Sequence, residues 1–81
     1  MNFESILSDV KHIFIDILDN EEISLSRETT AKDIDEWDSL SHIQLIVAIE
    51  KHFKIRFSAG EIQSFKNVGE MCDHIQKRIT Q

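Results

Sequence analysis

The sequence predicts an all-α fold: a small four-helix bundle, three main helices and one short one, with a long loop between the first helix and the second. Three observations predict it. Apolar residues recur at steps of three and four in three separate stretches, the spacing that places side chains on one helical face. The chain has no proline and only two glycines in 81 residues, so little in it interrupts a helix. Ser58 with Glu61, and Asn67 with Glu70, each place a glutamate three positions after a polar residue, the spacing of a helix-start cap.

Phe3, Ile6, Leu7, Val10, Ile13, Phe14, Ile17 and Leu18 share one face of the first helix, with Asn2 as its N-cap. From about Asp19 to Asp38 the periodicity fails and the segment is acidic, with Thr29 and Thr30 in its middle. Ile23, Leu25 and Ile34 should pin this loop to the core, because structureless loops beyond about 12–15 residues are uncommon in compact domains. Helical spacing returns from Ser39 to about Phe53, where Leu40, Ile43, Ile46, Val47, Ile49 and Phe53 form a wide apolar arc and Leu45 extends it. Phe53, Ile55 and Phe57 then alternate with Lys54 and Arg56, the period of a short extended link. A short third helix is predicted from Ala59 to about Phe65. The last helix carries Val68, Met71, Cys72, Ile75 and Ile79 on one face.

Residues 1–81 are expected to form a single domain. A chain this small buries only about 60–65% of the surface it exposes when unfolded, which disfavours a deep cleft around a large substrate. Fifteen acids against nine bases give a net charge of −6, which argues against nucleic acid as a partner and for basic protein surfaces. The charge is uneven. Residues 1–38 hold eleven acids and three bases, a net of −8, and residues 39–81 hold four acids and six bases, a net of +2. One cysteine cannot form an internal disulfide. The longest purely apolar run, Leu45 to Ile49, is far short of the roughly 20 residues of a membrane span. A cytoplasmic monomer is the expectation.

Asp38-Ser39-Leu40 stands where the acidic loop gives way to the second helix. Unpaired N–H groups and the positive end of the helix dipole favour a phosphodiester there by roughly 0.3–1 kcal/mol, and serine is the shortest side chain able to present an oxygen for it. Ser39, or Asp38 beside it, also fits an ordinary N-cap, the commoner use of such a residue. Two function classes therefore stand on the residues alone: a covalent carrier, and a bundle that binds another protein non-covalently with Ser39 only a cap.

Asp38-Ser39-Leu40 followed by Ile43, Leu45, Ile46, Ala48, Ile49, Glu50 and Phe53 resembles the acyl carrier protein family, in which an aspartate-serine-leucine motif opens the second helix. The likeness covers nearly the whole chain, down to a last helix opening near Asn67-Val68-Gly69-Glu70. It implies that a phosphopantetheinyl transferase moves 4'-phosphopantetheine from coenzyme A to the Ser39 oxygen, and that the arm's thiol carries an acyl or aminoacyl group as a thioester. It also implies an acyl-loading ligase or acyltransferase and an acyl-accepting enzyme as partners, with no catalysis by the carrier itself. By the same likeness Asp38 and Leu40 are placed in partner recognition, and Glu50 and Trp37 are expected to join them as partner contacts. Trp37 also has the bland role of a core anchor, and Leu40 that of core or edge packing.

Departures from the family pattern narrow the expected role. Ser41, Gln44, Lys51 and His52 stand where the carriers of fatty-acid synthesis often bear acids, and only Glu50 keeps the negative charge. Tryptophan before the motif resembles stand-alone carriers of specialised pathways, so bulk fatty-acid synthesis is disfavoured. Ile43, Val47, Ile62, Met71 and Ile75 are spaced to flank an acyl groove between the second, third and last helices, a spacing that also describes plain core.

Other constellations are weaker. Ser39 and His42 lie one turn apart, but no third group orients the histidine and no glycine-rich turn supplies an oxyanion hole, which disfavours a hydrolase. His12 with Asp16, and His74 beside Asp73, lack the ligand count of a metal site. Cys72, on the apolar face of the last helix, is expected to be a buried small hydrophobe.

Overall fold

The computed structural model describes residues 2–79. Four α-helices follow one another: α1 Phe3–Leu18, α2 Ser39–Phe53, α3 Ala59–Ser64 and α4 Val68–Ile79. No strand occurs among the described residues. The predicted fold class and the long first loop are both present.

Helix α1 packs on both α2 and α4, and the core lies where the three meet. Ile6, Val10 and Phe14 from α1, Leu45, Ile46 and Ile49 from α2, and Val68, Met71, Cys72 and Ile75 from α4 are almost wholly buried there. Each helix starts where a side chain meets its orphan N–H groups. Asn2 Oδ1 accepts the Ser5 N–H at 2.8 Å, and Asn67 Oδ1 accepts that of Glu70 at 2.8 Å. At α3 the Ser58 N–H donates to Glu61 Oε1 at 3.0 Å, and the Glu61 N–H donates to Ser58 Oγ at 3.2 Å. Helices α1 and α2 end at Asp19 and Lys54, both left-handed, with φ of 54° and 58°.

The loop from residue 19 to 38 is anchored as its apolar residues predict, with Ile23 and Ile34 buried and Leu25 half-buried. It also contains a one-turn 3-10 helix, Ala31–Asp33, which the lost periodicity did not announce. Thr30 and Asp33 close it, the Thr30 N–H donating to Asp33 Oδ2 at 2.9 Å. The loop then caps α4 with its own backbone: the Val68 N–H meets Thr29 O at 2.9 Å and the Gly69 N–H meets Arg27 O at 3.0 Å. A β-carbon at residue 69 would lie 2.9 Å from that carbonyl oxygen, so the close approach requires glycine. Arg27 completes the clamp by donating to both carboxylate oxygens of Asp73, at 2.9 and 3.3 Å, with its guanidinium 4.2 Å from the centre of the Phe3 ring.

The link between α2 and α3 forms no strand, but it keeps the predicted alternation. Phe53 and Ile55 are half-buried and Phe57 is buried, while Lys54 and Arg56 face solvent. The Phe57 N–H donates to Glu50 Oε2 at 2.8 Å.

Candidate functional site

Asp38, not Ser39, caps α2. Asp38 Oδ1 accepts the Ser41 N–H at 2.9 Å, and the Asp38 N–H donates to Ser41 Oγ at 2.7 Å, so the two residues satisfy each other's backbone. The Ser41 hydroxyl donates onward to Glu36 O at 2.9 Å, which fixes the approach to the helix. The backbone bond from Ser41 holds the Asp38 carboxyl below its ordinary value, so it is ionised at neutral pH.

Ser39 is therefore spare. It occupies the first turn of α2 as an exposed residue, and its hydroxyl makes no hydrogen bond to any described residue. The other short hydroxyl of the turn, Ser41, is only 8% exposed and fully engaged. Ser41 is thus no substitute for a surface acid on α2. It belongs to the cap.

Trp37 and His42 form the wall beside Ser39. The indole Nε1–H of Trp37 donates to His42 Nδ1 at 3.1 Å, and an indole nitrogen can only donate. His42 Nδ1 is consequently the acceptor, and Nε2 carries the hydrogen that faces Ile62 O at 3.1 Å. Both ring nitrogens are spoken for, which leaves no base for Ser39 and removes the serine–histidine hydrolase reading. Trp37 stacks on His42 with ring centres 5.9 Å apart and meets Phe14 edge-on at 5.0 Å. It is 7% exposed, so its role is the core anchor and it offers little surface to a partner.

An open depression of about 690 Å³ lies between the start of α2 and α3, bordered by Ser39, Trp37, His42, Ile43, Ile62 and Phe65, with Ala31, Asp38, Gln63 and Lys66. The five predicted groove residues separate here. Ile43 and Ile62 border the depression. Met71 and Ile75 are fully buried, because the apolar face of α4 packs against α1, and Val47 lies farther along α2 in a second depression.

The apolar arc of α2 also divides. Leu45, Ile46 and Ile49 face the core, whereas Leu40, Ile43 and Val47 are 70%, 51% and 43% exposed. At about 100° per residue these three lie together on the opposite side of the helix. Leu40 is accordingly open to a partner. Glu50 is less so, since one of its carboxylate oxygens holds the Phe57 N–H.

Sequence reasoning missed Phe65, Gln63 and Lys66 around Ser39, which chain separation from the motif concealed. It also missed the cap role of Ser41, although the Asp38–Ser41 spacing carried that signal.

The family profile described as the phosphopantetheine attachment site matches residues 8–75, which includes all of α2. The solution structure of a holo acyl carrier protein from Geobacter metallireducens superposes with a TM-score of 0.88 at 48% identity, covering 93% of this chain and 86% of that one. This chain belongs to the acyl carrier protein family.

Two further acyl carrier proteins are similar in sequence. That of Exiguobacterium sibiricum is 27% identical over 79 residues, 98% of this chain and the whole of the relative. That of Phytoplasma mali is 38% identical over 42 residues, where the match spans about half of each chain, 52% and 50%. The prosthetic group of the acyl carrier protein family is 4'-phosphopantetheine, covalently held. Ser39 fits its chemistry: a free, exposed oxygen beside helix-start N–H groups, in a turn whose capping depends on other side chains.

Proposed function

We propose that this protein carries an acyl or aminoacyl group on 4'-phosphopantetheine attached at Ser39 and delivers it to partner enzymes in a specialised pathway. The observation that carries the reading is the division of labour at the start of α2. Asp38 and Ser41 do the capping, and Ser39 is left exposed with an unbonded hydroxyl. The arm, when attached, supplies a thiol that activates the cargo as a thioester and a tether that raises its local concentration at a docked enzyme. The chain's own residues do the rest. Helix-start N–H groups favour the phosphodiester, Leu40, Ile43 and Val47 offer an apolar docking strip, and Ile43, Ile62 and Phe65 give a shallow apolar bed beside the attachment point.

The specialised role is supported by the surface of α2, where the carboxylate of Glu50 is tied to the link and Gln44, Lys51 and His52 take outward positions. Such a face matches basic enzyme patches poorly. The partners on this reading are a phosphopantetheinyl transferase, a loading ligase or acyltransferase, and an accepting enzyme, with the carrier itself performing no catalysis.

Intact mass tests the attachment. With coenzyme A and a promiscuous phosphopantetheinyl transferase the protein is expected to gain one arm and Ser39→Ala none. Absence of gain under conditions that load a known carrier, or gain that persists in Ser39→Ala, overturns the reading. The specialised role predicts slow use of the loaded protein by fatty-acid elongation enzymes, and turnover equal to that of a fatty-acid carrier refutes it.

A further inference from the structure

The far end of α2 carries a surface opposite in sign to the chain as a whole. A depression of about 620 Å³ there is bordered by Val47, Glu50, Lys51, Lys54, Ile55 and Arg56. Three cations face one carboxylate, and that carboxylate already accepts the Phe57 N–H. Lys51, Lys54 and Arg56 make no ion pair with any described residue, whereas Arg27 meets Asp73 and Arg78 meets Glu61. Among the described residues, none of the chain's fifteen acids forms an ion pair with these three, and Glu50 is the one carboxylate that borders the depression. The helix dipole accounts for Lys51, in the last turn of α2, but not for Arg56, which lies beyond the helix.

The depression is continuous with the exposed stripe of Leu40, Ile43 and Val47 that leads back toward Ser39, and twelve residues of helix separate Ser39 from Lys51 by about 18 Å. An apolar floor ringed by unpaired cations is complementary to a protein surface with an apolar knob and carboxylates around it. An anionic membrane fits less well. Membrane-binding segments gather about 4–8 basic residues, and the acidic half of this chain, with its net of −8, would be repelled.

We propose that Val47, Lys51, Lys54, Ile55 and Arg56 form a docking surface for an acidic patch on a partner protein. The carrier reading enters only in naming that partner as an enzyme that meets Ser39 at the other end of the same stripe.

The test follows backbone amide resonances of the isotope-labelled full chain during titration with a polyglutamate peptide, a polylysine peptide and vesicles of mixed phosphatidylcholine and phosphatidylglycerol. Polyglutamate is expected to shift the amides of residues 47–56, and polylysine to leave them unmoved. The shifts should fall several-fold in the triple variant K51E/K54E/R56E and by a smaller factor in K51Q/K54Q/R56Q, whose substitutions are all at exposed positions. They should also vanish as salt rises from about 0.15 M to about 1 M, which shortens the screening length from about 8 Å to about 3 Å.

Three results overturn the proposal: no polyglutamate shift in that segment, stronger perturbation of the same amides by vesicles, or shifts there on concentrating the protein alone, which would assign the patch to a second copy. Gain of the arm by the unmodified protein is scored separately. A silent patch leaves that gain intact, and a failed gain leaves the peptide shifts intact.

Discussion

The Asp38 N–H donates to Ser41 Oγ at 2.7 Å while Asp38 Oδ1 accepts the Ser41 N–H at 2.9 Å. Ser41 also donates to Glu36 O, so one buried hydroxyl holds both Asp38 and Glu36 in the turn that presents Ser39. Ser41→Ala is expected to destabilise the protein by about 1–2 kcal/mol through lost and unsatisfied hydrogen bonds, read by urea unfolding. Asp38→Ala should be destabilising and Asp38→Asn milder, since asparagine retains the cap. An unchanged midpoint for Ser41→Ala would show that the box contributes nothing.

Trp37 and His42 tie the approach to α2 onto the carbonyl of Ile62 in α3, beside the depression at Ser39. His42→Phe retains the ring and removes both bonds. It should cost about 1–3 kcal/mol, because the buried indole N–H loses its acceptor. Hydrogen exchange of the Trp37 indole and of the α3 amides should speed up together. Faster exchange at only one of them would mean that the histidine does not couple the two segments.

The two glycines make opposite predictions. Gly69→Ala places a β-carbon against the Arg27 carbonyl oxygen and should destabilise by about 1–3 kcal/mol as an overpacked site. Gly60 in α3 has open space, with Ser58 Oγ at 4.0 Å the nearest atom, so Gly60→Ala should stabilise by about 0.5–1 kcal/mol. Thermal melts of the two variants decide both.

Glu61 supplies an acid-sensitive link. It accepts the Ser58 N–H and meets His74 and Arg78, and these hold its pKa at about 2 against an ordinary value of 4.5, the Ser58 bond foremost. The folded value is the lower one, so this stabilisation is fully present above the unfolded pKa and is lost as pH falls from about 4.5 toward about 2. Glu61→Gln should flatten the fall in stability across that window. An identical acid limb in the variant would assign the loss to other carboxylates.

Cys72 is fully buried, and burial pushes its thiol up to about 12. A thiol reagent at neutral pH should therefore find no fast-reacting group in the folded unmodified chain and one in the chain bearing the arm. Fast labelling of the unmodified chain would contradict this packing.

Helices were legible in the sequence where spacing and caps agreed, as for α1 with Asn2 and α4 with Asn67, and α3 was legible from the Ser58–Glu61 cap alone. Spacing could not divide the apolar arc of α2, because Leu40, Ile43 and Val47 are as apolar as Leu45, Ile46 and Ile49 and only the position of α1 tells them apart. The same limit explains Met71 and Ile75, whose period marks a buried face without saying which helix covers it. The 3-10 turn was signalled by Thr30 and Asp33, a cap spacing shorter than any run whose periodicity can be measured. Ser39 itself stood out through motif and register, but its freedom depends on Asp38 and Ser41, a partnership visible only in three dimensions.

That freedom separates maturation from folding. Because Asp38 and Ser41 close the first turn of α2, that turn does not depend on the Ser39 hydroxyl, and the arm proposed there would not need the helix to reopen. On the reading proposed above, an enzyme that tells the loaded carrier from the empty one does so at the arm and its cargo, since the first turn beneath is already closed by Asp38 and Ser41.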